Sequence, residues 1–167
     1  MPNYPIIVGA GQLTNRPKSL EDCIEPLEMM ERVAREAETD AGKEGLLAKL
    51  DSVQVVNMLS WSYVDAPGML AKRVGASPAH TVYTAVGGET PQRLINETAR
   101  AIVDGRMRLA LLAGAEAMES RRLARKLEAR LPWARGTPQR VDGDPAERGD
   151  LSPLAATPVR RWLCGHS

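Results

Sequence analysis

Short aliphatic runs that end in glycine or a polar turn alternate along this chain with stretches whose apolar residues recur every three or four positions. That alternation limits the fold more than any other feature. Pro5-Ile6-Ile7-Val8 leads into Gly9-Ala10-Gly11; Val53, Val55 and Val56 sit within residues 51–57; residues 81–86 precede Gly87-Gly88; residues 108–113 precede Gly114. Each run is too short for a typical helix and suits a strand covered on both faces. Between the first two, Leu27, Met30, Val33, Ala34, Ala37 and Ala41 share one helical face, and Glu28, Glu31, Arg32, Arg35 and Glu38 share the other. Pro26 fits the first turn of that helix and Gly42 its end. A short helix is predicted over residues 67–74, closed by Gly75. Thr90 as N-cap and Pro91 after it open a third helix running to about residue 104, with Leu94, Ile95, Thr98, Ala101 and Ile102 as its buried stripe. A strongly charged helix is predicted over residues 118–130. Strands alternating with helices in this way predict an α/β layered sheet.

The core of such a sheet has to be aliphatic, because the chain has no Phe and only 4% aromatic residues. Its 167 residues suffice for one domain. With 22 basic and 21 acidic residues the net charge is +1, which offers no global field for nucleic acid or a polyanion. Cys23 and Cys164 are far apart and form no Cys/His cluster, so neither a disulfide framework nor a metal site is expected. The start, Met1-Pro2-Asn3-Tyr4-Pro5, lacks a basic segment followed by an apolar core, and no apolar run approaches the ~18 residues of a membrane span. A soluble, cytoplasmic protein with no membrane span and no nucleic-acid partner is expected.

The texture changes after Leu131, where Pro132, Pro138, Pro145, Pro153 and Pro158 interrupt a stretch rich in Arg, Gly and Asp. Residues 1–130 are therefore expected to be the folded part and residues 131–167 an irregular tail. Its last segment, Arg160-Arg161-Trp162-Leu163-Cys164-Gly165-His166-Ser167, does not read as the close of a domain, so truncation or a shifted reading frame is the expectation there.

Gly9-Ala10-Gly11 after an apolar run invites a dinucleotide-binding reading, but that loop needs a helix to begin on the glycines, and Asn15-Arg16-Pro17 intervene here. A strand ending in a turn is the simpler account. Residues 83–92 (Tyr83-Thr84-Ala85-Val86-Gly87-Gly88-Glu89-Thr90-Pro91-Gln92) are more informative. A strand there passes through two glycines onto a helix, a junction that presents N–H groups and the positive helix end to a bound group, or is a plain strand-to-helix turn. Glu89 suits a dipole-favourable surface acid better than a general base. His80 and His166 have no neighbouring carboxylate or cysteine to orient an imidazole. Arg121, Arg122, Arg125, Lys126 and Arg130, interleaved with Glu119 and Glu128, read as a solvated helix face in preference to a phosphate-binding patch.

Residues 5–12, the helix holding Glu25-Pro26-Leu27-Glu28, residues 51–57, the Val86–Gln92 segment and Leu111-Leu112-Ala113-Gly114-Ala115-Glu116-Ala117-Met118, taken in order, resemble the N-terminal half of the thiolase superfamily. The nearest group is the thiolase-like one often labelled acetyl-CoA acetyltransferase, related to the sterol-carrier-protein thiolases, and the resemblance runs from about Pro5 to Lys126. It implies the N-terminal half of a layered αβαβα fold with a mixed sheet and flanking helices. It also implies an acyltransferase in which a cysteine at the junction of strand three and helix three takes an acyl group from acyl-CoA. A histidine and a second cysteine would come from a later half. In this chain Gly87 occupies the nucleophile position, so no catalytic residue is assigned, and neither Cys23 nor Cys164 is given a role. Gly87, Gly88, Glu89 and Thr90 are the substrate-binding candidates, with a CoA thioester as substrate and no covalently bound cofactor. Acyl-CoA or CoA, a homo-oligomer, or a thiolase-fold partner are the implied partners. The alternative is a noncatalytic acyl-CoA- or lipid-binding or assembly subunit. Half of such a fold would leave apolar faces of the sheet and of helix three uncovered, so the isolated chain is not expected to be a well-behaved monomer.

Overall fold

The computed structural model describes residues 4–134. Within them the elements are α1 (Pro26–Asp40), β1 (Ser52–Val55), α2 (Ala66–Val74), β2 (His80–Tyr83), α3 (Thr90–Val103), β3 (Ala110–Ala113) and α4 (Met118–Lys126), with a 3-10 turn at Leu47–Lys49. The three strands lie in the order β2-β1-β3 and pair in parallel, Ser52 standing opposite both His80 and Ala110. Parallel neighbours need a crossover, supplied by α2 between β1 and β2 and by α3 between β2 and β3. The first crossover moves one way along the sheet and the second moves back past β1. Right-handed connections then put α2 and α3 on opposite faces.

Side chains of β1 confirm that division, because successive residues of a strand point to opposite faces. Val53 and Val55 join Leu27, Met30 and Ala34 of α1 and Leu70, Ala71 and Val74 of α2 in the aliphatic core. Gln54, on the other face, donates to Thr98 Oγ1 of α3 at 3.0 Å. The α/β layering expected from the alternation of runs is thus present.

Local chemistry sets the helix ends. Asp65 caps α2 by accepting the Gly68 N–H at 2.9 Å, and Gly75 closes it in the left-handed conformation, φ 77°. At the start of α1 a distant side chain does this work: Tyr63 Oη accepts the Leu27 N–H at 3.2 Å and donates to Glu25 at 3.1 Å. Arg73 completes the group, its guanidinium 2.9 Å from Glu25, so the buried carboxylate is both paired and hydrogen-bonded.

Several boundaries differ from the sequence reading. Residues 5–8 form no strand, and Ile6 and Ile7 are 75% and 84% exposed. The glycines after them seat the chain on α1: a Cβ at Gly9 would collide with the Ala37 carbonyl, and one at Gly11 with that of Val33. Carboxylates of α1, in place of a neighbouring strand, take the Ala10 and Gln12 N–H groups, Asp40 at 2.9 Å and Glu36 at 3.1 Å. Thr90 is the first residue of α3, not its cap; Glu89 holds the cap position and makes no side-chain cap bond. Ile95, expected in the buried stripe, is 46% exposed. The charged helix stops at Lys126, and Glu128 takes φ 51°.

Packing continues past residue 130. Leu131 is buried, Trp133 meets Trp61 edge-on with centroids 5.0 Å apart, and Trp61 Nε1 donates to the Ala134 carbonyl at 2.6 Å. Residues 135–167, with Cys164 and His166, lie outside the described residues. Among the described residues no helix is long and apolar enough to cross a membrane.

Candidate functional site

Because the strands are parallel, their outgoing loops gather at one edge of the sheet, the edge where open α/β sheets hold ligands. There β1 continues into Val56 and Asn57, β3 into Gly114, Ala115 and Glu116, and β2 through Gly87 and Gly88 into α3. A crevice of about 490 Å³ opens between these ends. It is lined by Val56 and Asn57, by Pro91, Leu94 and Ile95 from the first turns of α3, and by residues 112–116. Aliphatic side chains dominate, with Asn57 and Glu116 as the polar ones, a composition and size ordinary for a small-molecule site.

Glu116 also braces the wall. Its carboxylate accepts the Leu59 N–H at 2.7 Å and the Ser60 N–H at 2.9 Å, while Ser60 Oγ accepts the Ala117 N–H at 2.9 Å. The loop after β1 and the loop after β3 are thereby tied together. Burial raises the Tyr83 hydroxyl above its ordinary pKa, and the charge of Glu116 adds to the effect.

The four residues singled out in the sequence form the turn into α3. Gly87 is half-buried and its carbonyl accepts the Thr90 N–H at 3.2 Å. A Cβ at Gly87 would lie 2.9 Å from both Glu89 Oε1 and Thr90 Oγ1, so these two side chains fold back over the position. Gly88 and Glu89 are exposed, whereas Thr90 is 1% exposed. None of the four lines the crevice; Pro91, next along the chain, does. The turn and the crevice are therefore adjacent through α3. Asn57, which follows β1, and Leu112 and Glu116, from β3 and the loop after it, had drawn no functional assignment, since two strands distant in the sequence bring them together.

His80 lies at the opposite edge, paired in register with the first residue of β1. Its Nδ1 is 3.0 Å from Ser52 Oγ, which also receives Gln54 Nε2 at 3.2 Å. Its Nε2 is buried with no hydrogen-bond partner among the described residues, and burial pushes the imidazole pKa down. Burial thus favours the neutral imidazole at this position. Cys23 sits in the turn before α1, its Sγ 3.6 Å from the Ser19 carbonyl. On α4, Arg122 pairs with Glu119 at 2.7 Å and Arg121 donates to the Leu59 carbonyl at 3.2 Å; Arg125, Lys126 and Arg130 are exposed.

No family model and no curated protein matches this chain. A solved structure does: the crystal structure of a monomeric SCP2-thiolase-like protein type 1 from Mycobacterium smegmatis, at 29% sequence identity and a TM-score of 0.60. The match covers 70% of this chain and 24% of that protein's chain. The parallel sheet with its two crossovers, together with this likeness, shows a thiolase-like fold in a chain whose matched part spans 24% of its neighbour's length.

Proposed function

We propose that this chain is the acyl-CoA-handling part of a thiolase-like acyltransferase of the acetyl-CoA acetyltransferase type, and that it holds the acyl end of a thioester without forming a covalent acyl intermediate of its own. The carrying observation is the aliphatic crevice at the outgoing edge of the sheet, with the start of α3 beside it. An acyl chain suits Leu94, Ile95 and Leu112. A thioester carbonyl directed at the first turn of α3 would meet the positive end of the helix, which polarises it. Gly87 has no side chain to attack that carbonyl, so a covalent route needs a nucleophile from elsewhere.

A second reading, a noncatalytic acyl-CoA- or lipid-binding or assembly subunit, draws on the same glycine. Calorimetric titration of the full chain with acetyl-CoA, a longer acyl-CoA and free CoA tests the binding. Saturable binding that depends on the acyl group is expected, weakened about tenfold or more, roughly 1.4 kcal/mol, by Ile95→Arg in the half-exposed wall. Equal or absent binding of all three to folded protein would overturn it. Mass spectrometry after incubation with acetyl-CoA separates the two readings: Gly87→Cys acquires an acyl adduct at residue 87 if the turn still activates a thioester, and acquires none in a simple binder.

A further inference from the structure

Asn57 and Glu116, the polar side chains on the crevice wall, are in opposite states. Glu116 has both carboxylate oxygens taken by the Leu59 and Ser60 N–H groups, and a carboxylate can only accept. Asn57 is an amide with its acceptor end occupied and its donor end open.

Neighbouring bonds fix which end is open. The Asn57 N–H donates to Thr84 Oγ1 at 3.1 Å, and Thr84, 0% exposed, is itself oriented by donating to the Ala85 carbonyl at 2.9 Å. This holds the Asn57 backbone where β1 and β2 end. Its Oδ1 accepts the Met58 N–H at 2.8 Å. An N–H can be accepted only by the oxygen of the amide, so this bond sets the amide rotamer and leaves Nδ2 without a partner among the described residues. Asn57 is half-buried. A partly desolvated donor held in one orientation is preorganised for an acceptor, and Asn57 is the one side-chain donor on this wall.

We propose that Asn57 Nδ2 donates to the acyl carbonyl oxygen of a thioester in the crevice and so sets how deeply the acyl chain enters, an assignment that rests on the acyl-CoA reading above. Pro91, in the first turn of α3, lines the same space, so the two lone pairs of one carbonyl oxygen can be shared between the helix end and the amide. A free carboxylate would accept from the same donor but would meet the Glu116 charge, which favours a neutral carbonyl.

Calorimetric titration of the full chain with octanoyl-CoA, with free CoA, and with S-octyl-CoA, a thioether carrying a methylene in place of the carbonyl, tests this. Both long-chain ligands should bind more tightly than free CoA, and the thioester about three- to tenfold more tightly than the thioether, the size of one neutral hydrogen bond. Asn57→Asp keeps an oxygen for the Met58 N–H and replaces the donor by an acceptor. It should remove the preference by weakening the thioester and not the thioether. Chain-dependent binding with no preference for the thioester in the wild type overturns the role of Asn57 and leaves the acyl-CoA reading standing. A preference that survives Asn57→Asp, or equal weakening of both ligands, which would mean that Asn57 only supports the wall, overturns that role as well. Binding of neither long-chain ligand above free CoA overturns the reading and the role together.

Discussion

The two faces of β1 are equally buried and chemically unlike. Val53 and Val55, both 0% exposed, enter the aliphatic core beneath α1 and α2. Ser52 and Gln54, 0% and 4% exposed, instead form a chain of side-chain hydrogen bonds running from His80 through Ser52 and Gln54 to Thr98 of α3. The first face is held by packing, which rewards filling every gap. The second is held by directional bonds, which fix where α3 lies without filling the space beyond its first turns. That is why a crevice can persist beside Leu94 and Ile95 while the opposite face has closed.

The largest expected effect tests the packed face. Leu70→Ala removes a 0%-exposed side chain from the core and should cost about 2–5 kcal/mol in denaturant unfolding. Ile95→Ala, in the crevice wall, should cost about 1 kcal/mol or less, since its surroundings are already partly open. Equal costs would break the contrast between a closed and an open face. On the polar face, Gln54→Leu keeps the bulk and takes away the donor to Ser52 and Thr98. A loss of about 1–3 kcal/mol is expected, because the buried Thr98 hydroxyl loses its Gln54 donor and Ser52 Oγ keeps only His80. Adding Thr98→Val should return part of that loss, and a strictly additive double mutant would show that the two side chains do not act as a pair.

The closed face was the more legible one in sequence. Alternation of runs and stretches located the three paired strands and the helices, and Pro26, Pro67 and Gly75 marked helix ends for reasons internal to each helix. Apart from the helix boundaries at Thr90 and Lys126, the failures share a cause: each depended on surroundings distant in the chain. Gly9 and Gly11 read as the end of a strand, yet they are small because the α1 backbone passes against them. Ile95 lies on the apolar side of α3 by spacing, but the described residues leave it 46% exposed. Glu116 stood inside a recognised segment, while its partners, the Leu59 and Ser60 amides, lie more than fifty residues earlier. One signal was present and unused. Ser52-Val53-Gln54-Val55 alternates polar and apolar residues, the pattern of a strand between two unlike environments.

A smaller effect is expected at the start of α2, which belongs to the closed face yet depends on a cap. Asp65→Ala removes the acceptor for Gly68 N–H and should cost about 1 kcal/mol in thermal or denaturant unfolding. A loss comparable to that of Leu70→Ala would mean that α2 is held by its cap more than by its packing.

The smallest expected effect concerns the polar face and pH. Burial lowers the His80 pKa below the ordinary 6.5, so near that pH the folded chain binds fewer protons than the unfolded one. The contribution of a neutral His80 is therefore complete above about pH 6.5, declines as pH falls from there toward the folded-state pKa, and is constant below it. Asp51 acts in a separate window. Its carboxylate is held below 3.8 chiefly by the Arg108 N–H and then by the Leu109 N–H, so its stabilisation is lost only as pH falls from about 3.8 downward. His80→Asn can keep a polar atom near Ser52 Oγ and removes the titration. Measured against this variant, wild-type stability should drop between pH 6.5 and the folded-state pKa, and the acid loss through Asp51 should appear in both proteins. A constant difference across that range would mean that the imidazole is not desolvated, and that the α3 face admits water where its hydrogen-bonded chain places a dry interior.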